Sequence, residues 1–251
     1  MDELELFALI GSIVLAGWAA YRTATIQCHP LFFSWNPGLG FARLSVWLGF
    51  LFVGATVIKF SASDIVTDMT YIGLYLVMGY ALIKSVGQLD PIYRVSYRVD
   101  VLERRNSVAG FYLGARTLAA ALVFSGSMIG EGPGFYVVLG FFGLGWIVLE
   151  LSVYLLCKIR GWKIRESILR ESDVARASVI AVWYVTIALI LRLACAGDFM
   201  GWEIGFRDFA IKASPVLVIF VVSKFFSNFN YKQEILITLF YGLFFLLKAP
   251  K

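Results

Sequence analysis

Residues 107–157 read SVAGFYLGARTLAAALVFSGSMIGEGPGFYVVLGFFGLGWIVLELSVYLLC, two long apolar stretches joined by the turn sequence GPG at 132–134. The stretches, 107–130 and 134–157, each have the roughly 20 residues that a helix needs to cross about 30 Å of hydrocarbon. Backbone polar groups in lipid must be satisfied within the segment, so helices are expected and not strands. Because the turn is short, this segment predicts a hairpin of two antiparallel transmembrane helices.

Further apolar stretches of similar length flank this hairpin on both sides. The sequence therefore predicts an all-α integral membrane protein, a polytopic bundle of about eight transmembrane helices. The alternative is seven, because the last stretch is short enough to lie at the membrane interface. The flanking stretches are residues 6–21, 42–60, 69–88, 174–197, 209–225 and 233–248.

The composition agrees with a membrane protein. Of the 251 residues, 60% are hydrophobic and only 16% are charged, whereas about a quarter of the residues of a soluble domain are charged. We divide the chain into an N-terminal helix pair (1–62), a central four-helix unit with a two-fold repeat (63–200) and a C-terminal helix pair (201–251).

The distribution of Lys and Arg predicts the orientation in the membrane. In an eight-span arrangement, most of the 22 Lys and Arg residues fall at one end, and cytoplasmic loops are the ones enriched in basic residues. Both termini are therefore expected on the outer side. The N-terminal sequence MDELELF lacks the positive charge of a secretory signal, which favours a retained first helix. The formal charge of +5 then reflects topology and anionic inner-leaflet headgroups, and not nucleic acid.

Two basic loops, 89–105 and 158–172, are long enough to have structure of their own. Both place apolar side chains at or near helical spacing between Arg and Lys residues. Either they lie flat on the inner leaflet as amphipathic segments, or they are solvated connectors. In both cases they are the candidate docking site for a cytoplasmic protein partner. The apolar residues are Ile92, Val95, Val99 and Leu102 in the first loop, and Ile159, Trp162, Ile164 and Ile168 in the second.

Histidine and cysteine are too few for most cofactor chemistry. His29 is the single histidine of the sequence, and Cys28, Cys157 and Cys195 show no paired spacing. A bundle with two His-ligated haems or a zinc site with several His ligands cannot be built from them, and neither a disulfide framework nor a metal clip is suggested. We predict no cofactor and no metal.

A lipid-acting membrane enzyme is the least favoured function class. Its candidate site residues are Asp64 with Asp68, or Asn106 with Asp173, all near span ends. Intramembrane enzymes usually show a denser set of catalytic groups, so we expect a protein that is not an enzyme.

Two spans begin in similar ways, with RRNSVAGFYLGARTLAAAL from Arg104 and RESDVARASVIAVWYVTIAL from Arg170. Asn106 and Asp173 occupy like positions in them and predict helix caps, because their side chains can accept from free backbone N–H groups.

The first copy, with Asn106, Ala109, Gly110 and Gly114, resembles the motif of the YjfL-like family of bacterial inner-membrane proteins of unknown function. The resemblance covers about residues 69–197, and the second copy departs from the motif at Asp173, Arg176 and Ala177. It implies a four-helix unit in the bacterial inner membrane, encoded in relatives beside phage-shock-type membrane-remodelling proteins and ATP-grasp-type peptide ligases. It supplies no activity and no catalytic residues.

One face of the 107–130 span carries small residues at helical intervals. Such a stripe lets another helix approach closely, which provides packing energy in lipid. The partner helix belongs either to the same chain or, in a homo-oligomer, to a second copy. The stripe consists of Asn106, Gly110, Gly114, Thr117, Ala121 and Ser125.

Three ionisable residues lie inside predicted spans: Arg116, Glu150 and Arg192. Arg116 lies about 13 Å and Glu150 about 12 Å from the same end of the hairpin, at 1.5 Å per residue, so the two side chains can meet. They form a buried ion pair that locks two helices, part of an ion or proton path, or a site for a polar headgroup. Arg192 lies nearer the outer face, where it can snorkel as an anchor or pair with Asp198, Glu131 or Asp68.

These features favour a non-enzymatic multi-pass membrane component. It is either a small ion or proton channel or transporter-like unit, or a scaffold that recruits a cytoplasmic partner. A structural subunit of a larger membrane complex is the alternative that the sequence does not separate from these.

Overall fold

The computed structural model describes residues 3–24, 36–61, 65, 68–88, 90, 92–131, 134–225 and 231–247. The regular elements in these ranges are helices, and a seven-residue π-helix, Tyr97–Glu103, precedes the fourth of the α-helices. The α-helices are α1 (Glu3–Ala24), α2 (Pro37–Phe60), α3 (Met69–Gln88), α4 (Ser107–Ser127), α5 (Phe135–Ile159), α6 (Ile164–Leu169), α7 (Val174–Cys195), α8 (Trp202–Ala213), α9 (Val216–Phe225) and α10 (Tyr231–Leu247).

Among the described residues, six helices are long and apolar enough to cross a membrane: α1, α2, α3, α4, α5 and α7. The predicted all-helical, multi-pass character is therefore confirmed. The predicted stretches 209–225 and 233–248 do not add two further helices of that length, because the first is divided and α10 has 17 residues.

The predicted seventh span is interrupted within its sequence. Helix α8 starts at Trp202, ahead of the expected stretch, and ends at Ala213, and α9 starts at Val216. Pro215 lies between them and has no backbone N–H to continue the helical ladder. The α-helix is therefore interrupted at Ser214 and Pro215, and the segment does not form one continuous helix.

The helices form two layers. In the first layer α2, α4, α7 and α10 lie side by side in that order. In the second layer α3 packs on α2 and α4, α5 packs on α4 and α7, and α1 packs on α3. Helices α4 and α7 lie at the centre of the bundle, because each has a neighbour on both sides within the first layer and further neighbours in the second layer.

The four helices of the first layer run parallel. All four begin at one end of the bundle, which we call the basic end and define as residues 90–107 and 158–174. There the Asn106 amide lies 2.9 Å from the Ile168 carbonyl, and the rings of Trp162 and Tyr231 are 6.4 Å apart. Helices α3 and α5 end at the basic end. We call residues 128–131 and 196–201 the opposite end.

The basic loops fold against the end of the bundle. Val95 and Val101 of the first loop and Ile164 and Ile168 of the second are buried within the protein. Ile92, Val99 and Ile159 remain exposed. Of the eight apolar residues named from the sequence, three are buried, Leu102 and Trp162 are half-buried, and three are exposed. The buried ones close the end of the helix bundle, so neither a segment lying flat on the leaflet nor a solvated connector describes these loops in full. Most Arg and Lys side chains of the two loops are exposed.

Candidate functional site

The Arg116 and Glu150 side chains meet between α4 and α5. The Arg116 Nε lies 2.6 Å from the Glu150 Oε1, and only 2% of Arg116 and 5% of Glu150 is exposed. Helix α4 begins at the basic end and α5 ends there, which brings the two side chains to the same depth. The contact predicted from depth along the two helices is present.

The remaining groups around this pair come from other helices. Tyr184 of α7 donates its hydroxyl hydrogen to the Glu150 Oε2 over 2.8 Å. The Arg116 Nη1 donates to the Val86 carbonyl of α3 over 2.8 Å, and the guanidinium carbon lies 5.0 Å from the centroid of the Trp146 ring. The ion pair therefore connects α3, α4, α5 and α7 at one point, a role wider than the two-helix lock inferred from sequence.

A file of polar side chains leads from Glu150 toward the basic end. The ring of Tyr184 meets the ring of Tyr112 edge to face, with centroids 5.9 Å apart. The Tyr112 hydroxyl donates to the Asp90 Oδ2 over 3.4 Å. These residues were not identified from the sequence as part of the site. The available signal was the four-residue spacing of Tyr112 and Arg116, which places them on one helix face.

The face of α5 that carries Gly143 and Ile147 has no neighbouring helix in the described part of the chain. A Cβ atom added at Gly143 meets nothing within 4 Å, and Ile147 is 65% exposed. The Glu150 carboxylate reaches its partners on the core side of α5 and not on this face.

Arg192 differs from the expectation. It is 9% exposed, so it does not snorkel, and its Nε donates to the Ser125 Oγ over 3.1 Å. The described contacts do not pair it with any of the three carboxylates expected from sequence; Asp198, for example, accepts from the Glu131 backbone N–H. The physical reason is the close crossing of α4 and α7, because a Cβ atom at Gly126 would overlap the Arg192 backbone.

The small-residue stripe of α4 packs inside the chain. A Cβ atom at Gly110 would overlap the backbone of Gly38 in α2, and one at Gly114 would lie 2.8 Å from the Ser45 Oγ. Farther along the stripe, a Cβ at Gly49 would lie 2.7 Å from Ala121, and one at Gly87 would lie 2.9 Å from the Thr117 Oγ1. Of the two alternatives, packing within one chain describes the stripe.

Both predicted helix caps are present. The Asn106 Oδ1 accepts from the N–H groups of Val108 and Ala109, and the Asp173 Oδ1 accepts from the Arg176 N–H. The chain approaches the two caps in the same way. Arg105 and Ser172 have positive φ angles of 53° and 48°.

The short helices before the caps are also alike. The Asn106 N–H donates to the Asp100 carbonyl over 2.9 Å, and the Asp173 N–H donates to the Ser167 carbonyl over 3.0 Å. The two-fold repeat therefore includes the short helix, the left-handed residue and the cap, as well as the long helix that follows.

A third copy of the cap occurs at Asn36, in the helix pair placed outside the repeat by sequence. Its Oδ1 accepts from the Leu39 N–H at the start of α2. Its amide donates to the Val101 carbonyl over 2.7 Å, just as the Asn106 amide donates to the Ile168 carbonyl. The signal that sequence reasoning missed is the Asn-x-x-x-Gly spacing at residues 36–40, which recurs at residues 106–110.

Replacing Asn36 with Ala is expected to destabilise the protein by about 2 kcal/mol. The change removes one cap and leaves the buried Val101 carbonyl without its side-chain donor. Thermal unfolding in a mild detergent, followed by circular dichroism, measures the effect. Asn36→Asp is the matched control, because it keeps the cap acceptor and loses only the donor, and it should fall between the wild type and Asn36→Ala. An unchanged midpoint for Asn36→Ala would contradict the assigned role.

A second buried ion pair attaches the last helix. Arg160 at the end of α5 pairs with Glu234 of α10, with side chains 5% and 1% exposed. The Arg160 guanidinium also lies 4.9 Å from the Trp162 ring centroid. Sequence reasoning placed Arg160 among the solvated loop cations because Glu234 lies far away along the chain.

The other candidate residues form no cluster in the described part of the chain. Asp68 accepts from the Thr70 N–H at the start of α3, and Asp64, Cys28 and His29 lie outside the described residues. Within the described ranges no three or more His, Cys, Asp or Glu side chains are grouped as metal ligands.

No protein-family model matches the sequence, and no curated protein or solved structure matches it either. The resemblance to the YjfL-like family therefore stays an expectation.

Proposed function

We propose that the protein is a non-enzymatic, multi-pass membrane scaffold whose basic end binds a cytoplasmic partner. The observation that carries this proposal is the backbone contact between neighbouring helices of the first layer. The backbones of α2 and α4 meet at Gly38 and Gly110, and those of α4 and α7 meet at Gly126 and Arg192. Helices in direct backbone contact leave no width for an aqueous path between them, and they form a rigid platform.

The complete partnering of the central ion pair supports the same function. Both Glu150 oxygens accept hydrogen bonds from protein groups, and Arg116 is held by Glu150, Val86 and Trp146. A group that carries ions or protons must exchange partners, whereas a group that holds helices together keeps them. We therefore assign Arg116 and Glu150 to holding the helices together.

The proposal includes eight membrane crossings with both termini on the outer side. Helix α8 begins at the opposite end, where Trp202 stacks on Phe141, and α10 begins at the basic end. Helices α8 and α9 together thus make the return path that one straight helix would make elsewhere. With the basic end in the cytoplasm, as the positive-inside rule favours, the protein belongs in a bacterial inner membrane beside anionic headgroups.

A proton path is the second candidate function, and one observation favours it. The side chains of Glu150, Tyr184, Tyr112 and Asp90 form a file from the membrane interior to the basic end. Hydroxyl and carboxyl groups in such a file are the usual components of proton relays in membranes.

Flux measurements separate the two functions. Purified wild-type protein in liposomes is compared with Glu150→Gln, which is nearly isosteric, removes the carboxylate and keeps one oxygen as a hydrogen-bond acceptor. We expect no proton or potassium flux above that of empty liposomes for either protein. Tyr136→Phe, on the exposed surface of α5, is the matched control.

The protein in each preparation must be monodisperse and helical, so that an absence of flux reports on function and not on unfolding. Proton flux in the wild type that Glu150→Gln removes and Tyr136→Phe retains would contradict the scaffold and establish the path.

A further inference from the structure

We propose that a cavity at the basic end is a binding site for a phosphate-bearing anion, either a lipid headgroup or a soluble phosphate compound. The cavity has a volume of about 890 Å³, within the range of ligand sites in proteins. This inference goes beyond the scaffold function and does not depend on it.

The charge around the cavity is strongly positive. Six Lys and Arg side chains line it, against one carboxylate, that of Glu166. Two of the six have acidic neighbours, since Arg104 pairs with Asp100 and Lys163 lies 3.4 Å from Glu166. The remaining four have no ion pair among the described contacts: Arg94, Lys158, Arg165 and Arg170.

The segments that carry these cations are held in place by the fold. The buried Asp90 carboxylate accepts from the Tyr93 and Val95 N–H groups and so fixes the loop that carries Arg94. Helix α6 carries Arg165 and is anchored by the buried Ile164 and Ile168. Like charges fixed around one cavity repel each other, and a bound anion would offset that repulsion.

The positive-inside rule explains why these loops are basic, but it does not require their cations to surround one cavity. Solvated connectors would let such side chains separate, and here buried residues of the same segments prevent it. Several exposed Arg side chains on anchored segments around one cavity suit phosphate, which Arg binds by paired hydrogen bonds.

The wall of the cavity adds an unused hydrogen-bonding group. Tyr93 lines the cavity and is 9% exposed, and its buried hydroxyl has no hydrogen-bond partner among the described residues. Burial raises the pKa of Tyr93, so the hydroxyl keeps its proton and remains a donor. A buried donor without a partner costs free energy, and such groups are rare except where a ligand or water completes them.

The position of the cavity suits both sources of phosphate. Tyr154, which lines it, is 43% exposed beside Leu151 on the outer surface of α5. Tyr154 lies five residues before the end of α5, about 7 Å from that end, which is the depth of the headgroup region. A headgroup can therefore enter sideways from the bilayer, and a soluble anion can enter from the aqueous side.

Isothermal titration calorimetry tests the site on the full-length protein in a neutral detergent at about 0.15 M salt, where distant charges are screened. The probes are inorganic phosphate, dihexanoyl phosphatidic acid and dihexanoyl phosphatidylcholine. We expect phosphatidic acid to bind and phosphatidylcholine not to bind. Binding of inorganic phosphate with similar affinity would identify a soluble source, and its failure to bind would identify the lipid headgroup.

Two double variants make the test specific to the cavity. Arg94→Gln with Arg170→Gln removes two cavity cations and should weaken phosphatidic acid binding about tenfold or more. Arg98→Gln with Arg105→Gln removes two exposed cations from the same end outside the cavity, and it should change the affinity less than about threefold.

Equal binding of both lipids, no binding of any probe, or equal losses in the two double variants would overturn the proposed site. None of these outcomes bears on the flux measurement, so the site and the scaffold function can fail separately.

Discussion

Gly110→Leu is expected to abolish the folded state of the protein in detergent. A Cβ atom at this position would overlap the Gly38 backbone, and backbone atoms cannot rotate away as a flexible side chain can. Overpacking a well-packed interior costs about 1–3 kcal/mol when side chains can adjust. Here α2 and α4 would have to separate, so we expect a loss above about 3 kcal/mol. Size-exclusion chromatography and circular dichroism of the purified variant measure the result.

Gly143→Leu is the matched control for this change. It introduces the same side chain into a long helix of the same hairpin, at a glycine where an added Cβ meets nothing within 4 Å. A membrane-facing leucine needs no cover in lipid, so we expect the stability to change by less than about 0.5 kcal/mol. Equal effects of the two substitutions would contradict the close contact of α2 and α4.

Arg116→Met is expected to destabilise the bundle by about 3–5 kcal/mol, the cost of leaving one partner of a buried ion pair without the other. The Glu150 carboxylate would keep only the hydrogen bond from Tyr184, and the Val86 carbonyl would lose its donor. Unfolding by titration with sodium dodecyl sulfate in mixed micelles measures the free energy.

The double variant Arg116→Met with Glu150→Gln tests whether the unpaired charge causes this loss. A neutral amide still accepts from Tyr184, so the double variant should recover at least about half of the lost stability. Arg98→Met is the control for removal of an exposed partner, since the Arg98 and Glu103 side chains are 70% and 58% exposed and such pairs contribute less than about 1 kcal/mol. A double variant as unstable as Arg116→Met would show that packing, and not charge, sets the effect.

Local features of the sequence predicted much of the fold. Apolar stretches located the six long helices because the length of a span is set by the bilayer and needs no information about neighbours. The caps at Asn106 and Asp173 were predictable because a cap is made within four residues of chain. The Arg116 and Glu150 contact was predictable because a short turn fixes the relative depth of two helices.

Contacts between segments that are distant in sequence were not predictable. The stripe on α4 indicated a close neighbour, but nothing in the sequence identified α2 as that neighbour. Arg192 was expected to pair with a carboxylate, and the crossing of α4 with α7 gave it Ser125 instead. The basic cavity is lined by two loops that are far apart in the chain. The sequence shows its cations only as an excess of Lys and Arg at one end of the predicted bundle.

The asparagine caps also join neighbouring helices of the first layer. Asn36 and Asn106 each donate an amide hydrogen to the segment that precedes the next helix of that layer. The Asp173 side chain has no amide hydrogen to donate, and α10 is joined through Arg160 and Glu234 instead. The same joint thus repeats from α2 to α4 and from α4 to α7, and an ion pair takes its place at α10.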